Sequence, residues 1–134
     1  MKYTVDITET FDGCAEKYIT DVIFAGERQE WSFLTKLMSF VGLTEEEVIE
    51  RANWKLFGQL DKMVPGNWCR YLLTSTKDIL SGIWTTHVTF DMYADGCSLA
   101  VKIQSSKKLD EKIALEKAAR LIVARINQLN GRFV

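Results

Sequence analysis

The chain has 134 residues, 47% apolar and 26% charged, a length and balance that fit one folded domain with its own core and exclude a disordered chain. Lys and Arg number 17 against 18 Asp and Glu, for a formal charge of -1, so no bulk positive field exists to gather nucleic acid without sequence preference. No run approaches the roughly 18 apolar residues of a membrane span, and Asp6 and Glu9 interrupt the stretch where a secretory signal would be apolar; the expectation is a cytoplasmic protein with no membrane partner.

The opening segment alternates, with Tyr3, Val5 and Ile7 on one side and Thr4, Asp6 and Thr8 on the other, which predicts a half-buried strand. After Thr10 or Asp12 as N-cap, the three-and-four spacing of Ala15, Tyr18, Ile19, Val22 and Ile23 predicts a first helix ending at Gly26. Trp31, Leu34, Leu37, Met38 and Val41 share a helical stripe and predict a second helix from Glu27 to Val41, stopped by Gly42. Thr44-Glu45-Glu46-Glu47 reads as a capping box with Leu43 and Val48 as its staple. The third helix then carries Ile49, Ala52, Leu56, Leu60 and Met63 on one face and ends at Pro65-Gly66-Asn67.

Periodicity changes to two over Cys69–Thr76, a second strand. Asp95-Gly96 is a two-residue hairpin signal between two alternating runs. Facing Ala94 to Cys97 sets Met92 against Leu99, Phe90 against Val101 and Val88 against Ile103, and leaves Thr85, His87, Thr89, Asp91 and Tyr93 with Ser98, Ala100, Lys102 and Gln104 on a polar face. A last helix spans Leu109 to Asn130, with Leu115, Ala119, Ile122, Ile126 and Leu129 in one stripe and Gly131 after it. The predicted fold is α+β, an antiparallel sheet of about four strands with helices packed on one face, in the order β-α-α-α-β-β-β-α. It forms one domain over 1–134, with no internal repeat recognised.

His87 is the only histidine, and so the one side chain whose ordinary pKa suits proton transfer near neutrality. An acid–base site would place it on the polar face of the sheet with Asp91 and Lys102 as orienting charges. Four residues of strand separate His87 from Asp91, about 13 Å, so the two do not touch within the strand. Cys14, Cys69 and Cys97 form neither a disulfide framework nor a zinc spacing, and read as small apolar residues. Cys14, near a helix start, is the one whose thiolate a helix dipole could favour. The Glu45–Glu47 run is explained by a helix N-terminus, and Asp12-Gly13, Pro65-Gly66 and Asp95-Gly96 are isolated turns rather than a phosphate loop. No metal and no cofactor are expected.

Of the four tryptophans, Trp54 lies off its helix stripe and Trp68 follows a Pro-Gly turn, which marks both as candidates to line a pocket or an interface. Arg120 and Arg125 on the last helix are candidate anion ligands, about 140° apart around it. These residues together predict a non-enzymatic binding module that captures a protein partner or a small ligand. A small enzyme using His87 is the alternative from another class, and a homo-oligomeric regulatory or accessory inhibitor protein, a homodimer built partly on the last helix, is the third.

Overall fold

The computed structural model describes residues 2–64, 70–92 and 95–131. Six strands form one antiparallel sheet in the order β1-β2-β3-β6-β5-β4, where β1 is Tyr3–Asp12, β2 Lys17–Gly26, β3 Trp31–Ser39, β4 Tyr71–Lys77, β5 Trp84–Met92 and β6 Cys97–Ser105. Helix α1, Glu45–Phe57, follows β3, and helix α2, Glu111–Leu129, follows β6. Both helices pack over the sheet and share one core cluster with Phe24, Phe33, Phe90 and Leu99.

The expected four-strand sheet and the order β-α-α-α-β-β-β-α are therefore corrected. The two helices predicted between Ala15 and Val41 are the strands β2 and β3. Their apolar residues fall on both sheet faces: Thr20, Val22 and Phe24 point into the core, while Ile19 and Ile23 lie half-buried on the other face. A strand with apolar residues on both faces reads as a nearly continuous apolar run, and such a run also satisfies three-and-four spacing. The β-branched content of Ile19, Thr20, Val22 and Ile23 favours the strand. The third predicted helix is α1, which stops at Phe57 with Gly58 as its cap; a short 3-10 turn, Leu60–Met63, carries the rest of the stripe.

The strand expected over Cys69–Thr76 is described from Tyr71 to Lys77 and the last helix runs from Glu111 to Leu129, while the Pro65-Gly66-Asn67 turn lies outside the described residues. Thr44 caps α1, its hydroxyl accepting from the Glu47 N–H at 3.2 Å while the Glu47 carboxylate accepts from the Thr44 N–H at 3.1 Å. That hydrogen bond holds the Glu47 carboxyl below its ordinary pKa. Leu115, Ala119, Ile122 and Ile126 are buried against the chain's own sheet, so this stripe serves the core and is not a surface left for a second copy. The β5–β6 hairpin keeps its predicted faces but slips by two residues: Met92 opposes Cys97, Phe90 opposes Leu99 and Val88 opposes Val101. A shift of two preserves which side chains face the core, so apolar still meets apolar.

The two halves of the chain are the same unit. Glu45 opens α1 and Glu111 opens α2, a separation of 66 residues, and that shift carries every register of β1-β2-β3 onto β4-β5-β6. It superposes Thr20, Val22 and Phe24 on Thr86, Val88 and Phe90, all six buried, and Ala52 on Ala118 at the helix–sheet contact. Turn chemistry repeats as well. Asp12 accepts from the Cys14 N–H and Asp78 from the Leu80 N–H, both at 3.0 Å, and the Ser39 and Ser105 hydroxyls each donate to the carbonyl two residues on. Glu16 and Gly82 both take positive φ at the end of these turns. The expectation of no internal repeat is thus corrected.

The halves meet where β3 pairs with β6 through Trp31–Val101, Phe33–Leu99 and Thr35–Cys97. Exchanging the halves turns the first pair into the last, so an approximate two-fold axis stands perpendicular to the sheet at Phe33–Leu99. The Lys36 N–H donates to the Gly96 carbonyl at 2.8 Å and the Lys102 N–H to the Glu30 carbonyl at 2.9 Å, a reciprocal pair that closes the junction. Phe33→Ala, at fully buried Phe33, should cost about 3–5 kcal/mol in denaturant unfolding. Thr8→Ala on exposed β1 should change stability by less than about 0.5 kcal/mol.

Candidate functional site

Pairing between β3 and β6 stops at Thr35 and at Val101. Beyond those residues Lys36–Ser39 and Lys102–Ser105 overhang the junction, and each overhang faces the turn of the other half across a notch. The two notches are equivalent by the two-fold axis but differently filled.

Side chains from the first helical arm bridge the notch beside Lys36. The Lys55 ammonium donates to the Lys36 carbonyl at 2.5 Å, and Lys62 forms an ion pair with Asp95 from the β5–β6 turn. Lys36 also faces Asp21 directly across β2 and β3, with 3.9 Å between ammonium and carboxylate.

Apart from the lysine itself, these groups change at the notch beside Lys102. Its cross-strand neighbour is His87 where the first half has Asp21. The counterpart of Lys55 is Leu121, which cannot repeat the bond to the carbonyl, and the counterpart of Lys62 is Gln128. This notch holds a cavity of about 1100 Å³. His87 and Lys102 enter from the open face of the sheet and Arg125 from α2, while Lys2 and Arg28 line the rim. Glu27 and Glu30 are the carboxylates of the lining, and no carboxylate forms an ion pair with Lys102 among the described residues. A smaller cavity of about 190 Å³ continues along the open face past Thr89 and shares His87 and Lys102.

Local structure fixes these groups. The Glu30 carboxylate accepts from the Arg28 N–H at 3.0 Å, which closes the β2–β3 turn. Gly26 leaves room for it: a Cβ there would lie 2.2 Å from Glu30 Oε1 and 2.8 Å from Trp31 Nε1. The Arg125 guanidinium donates to Gln128 Oε1 at 2.9 Å, one turn along the same helix. Several cations around few carboxylates, Lys102 on a strand, Arg125 on a helix, Arg28 in a turn and Lys2 ahead of β1, suit a carboxylate or phosphate, with arginine able to give a forked pair of hydrogen bonds.

Of the residues singled out in the sequence, His87, Lys102 and Arg125 come together here. Asp91 shares the open face but opposes Ser98 and lies outside the cavity lining. Its Oδ1 is buried without a hydrogen-bond partner among the described residues. Arg120 is exposed and absent from this lining. Trp54 is 58% exposed and stacks edge-on with Phe57 at 6.0 Å beside a separate recess of about 460 Å³ between α1 and the end of α2. Trp68 and Cys69 lie outside the described residues.

Cys14 sits in the β1–β2 turn rather than at a helix start, which removes the dipole argument for its thiolate. Cys97 is buried, and burial pushes its thiol above the ordinary pKa, opposite to what a nucleophile needs. Among the described residues no group of three or more His, Cys, Asp and Glu gathers as metal ligands would. No helix of the described residues is long and apolar enough to cross a membrane.

Sequence reasoning missed Lys2, Arg28 and Glu30. Their only signal was position: Arg28 and Glu30 flank the β2–β3 turn, and that turn was read as helix. Gly26→Ala should displace Glu30 and press on the indole of Trp31. The expected outcome is a loss of about 1–3 kcal/mol, with a shifted Trp31 indole N–H resonance as the local readout. Comparison with known protein families, curated proteins and solved structures finds no match.

Proposed function

We propose that the chain is a binding module that holds a small anionic ligand, a carboxylate or a phosphate, in the notch beside Lys102. The observation that carries this reading is the difference between the two equivalent notches. In one, lysines meet Asp21, Asp95 and a backbone carbonyl of the same chain. In the other, Lys102 faces His87, and Lys2, Arg28 and Arg125 surround the space.

An enzyme using His87 would need a proton-transfer partner within reach. Asp91, expected as an orienting charge for such a site, lies outside the cavity lining, which favours capture over catalysis. The size of the cavity favours a ligand with several polar groups rather than a single simple ion.

Titration with citrate and with inorganic pyrophosphate, followed by amide and histidine resonances, tests the reading. Saturable shifts confined to the neighbourhood of Arg28, His87, Lys102 and Arg125 are expected with at least one of these anions, weakening as salt rises. Lys102→Ala and Arg125→Ala should each weaken binding about tenfold, the scale of one charge-assisted hydrogen bond. Trp54→Ala should leave it unchanged. Absence of saturation with both anions, or equal binding by the Lys102→Ala variant, would contradict the assignment.

A further inference from the structure

We propose that the β4–β5 turn and the loop before α2 form a docking corner for a negatively charged lipid surface. The turn ends in Ile79 and Leu80, 91% and 97% exposed, with Ile83 a further 41% exposed behind them. Their presentation is rigid. Asp78 accepts from the Leu80 N–H and from the Ser81 hydroxyl, both at 3.0 Å, the Gly82 N–H donates to the Asp78 carbonyl at 2.8 Å, and the Asp78 N–H donates to the Ile83 carbonyl at 2.9 Å.

The first half supplies an internal control. Its equivalent turn closes on Asp12 by the same bond and carries Gly13 and Cys14 where the second half has Ile79 and Leu80. Turn geometry therefore asks for no aliphatic residue at the tip, and the fold buries neither of them.

Three lysines accompany the tip in this half, where the first half has Lys17 beside its turn. Lys77, Trp84 and Ser105 form one cross-strand row, so the turn and the loop that leaves Ser105 lie at the same end of the sheet. That loop carries Lys107 and Lys108, with the Lys108 ammonium 5.9 Å from the centre of the Trp84 ring. The counterparts of Lys77, Lys107 and Lys108 are Phe11, Val41 and Gly42. The acidic groups at this end are Asp78, hydrogen-bonded within its turn, Glu111, which accepts from the Tyr71 hydroxyl, and Asp110, whose side chain makes no cap hydrogen bond at the start of α2.

A protruding aliphatic tip flanked by lysines matches the layering of a lipid surface, with hydrocarbon beneath and anionic headgroups at the level of the lysines. A protein groove would be matched by a wider apolar face, whereas this tip is a single turn. The lack of a membrane-spanning segment in the sequence bears only on crossing the bilayer, not on contact with its surface.

Co-sedimentation of the full chain with vesicles of phosphatidylcholine, and of phosphatidylcholine mixed with phosphatidylserine, tests the proposal. Binding to the mixed vesicles is expected, with little to phosphatidylcholine alone and a decline as salt rises. The double substitution Ile79→Ser and Leu80→Ser should reduce it at least about tenfold with the near-ultraviolet circular dichroism unchanged. Lys107→Ala with Lys108→Ala should lower it and flatten the salt dependence. Failure of the native chain to sediment with either vesicle, or equal sedimentation by the serine variant, would overturn the proposal. So would a concentration-dependent self-association, in the absence of vesicle binding, that the serine substitutions abolish, since the corner would then serve a second copy of the chain.

Discussion

The short pairing between β3 and β6 is the constraint on which everything else depends. Each half alone is a three-stranded sheet with one helix, and its inner face has only one helix to cover it. Joining the halves through Trp31–Thr35 and Cys97–Val101 makes one six-stranded sheet, over which α1 and α2 lie together and merge two partial cores into one. Phe33 and Leu99, fully buried at the axis, belong to both halves at once. Because that pairing is short, it also leaves the two overhangs, and the notches are a consequence of the junction rather than separate features.

The duplication separates what the scaffold requires from what it leaves open. Thr20, Val22, Phe24 and Ala52 recur as Thr86, Val88, Phe90 and Ala118, all at positions closed off by sheet or helix, where a change of volume is resisted by close packing. Differences gather where packing does not decide. Asp21 becomes His87, Lys55 becomes Leu121 and Lys62 becomes Gln128 around one notch, while Gly13 and Cys14 become Ile79 and Leu80 at one turn. The backbone thus offers the same two platforms twice with different side chains on each copy: the corner of the first half exposes Phe11, Phe40 and Val41 where the second has Lys77, Ser106 and Lys107.

Much of the second half was legible in the sequence, and much of the first was not, for one physical reason. In β5 and β6 the open face carries His87, Thr89, Lys102 and Gln104, so apolar and polar residues alternate cleanly and the hairpin faces could be assigned. In β2 and β3 the same face carries Ile19, Ile23, Leu34 and Met38, and alternation disappears. The Thr44 capping box was readable because it is a local device that needs no tertiary partner. The repeat was hidden because its shared residues are scattered, yet Thr20-x-Val22-x-Phe24 against Thr86-x-Val88-x-Phe90, with Asp12 and Asp78 eight residues before, was a signal that could have found it. Reading β2 from β5 by that match would have corrected the fold. The site is harder: His87 and Lys102 follow from the hairpin faces, but their meeting with Arg125, Arg28 and Lys2 depends on how the overhang meets the opposite turn.

Native-state hydrogen exchange at increasing denaturant tests most directly whether the β3–β6 junction makes the two repeats a single cooperative body. The Lys36 and Lys102 amides, which close the junction reciprocally, should exchange only through global unfolding, together with Val22 and Val88 in the middle of each half. If instead one half loses protection at lower denaturant while the other keeps it, and the Lys36 and Lys102 amides exchange with the weaker half, the junction does not unite the repeats and the account of the fold fails.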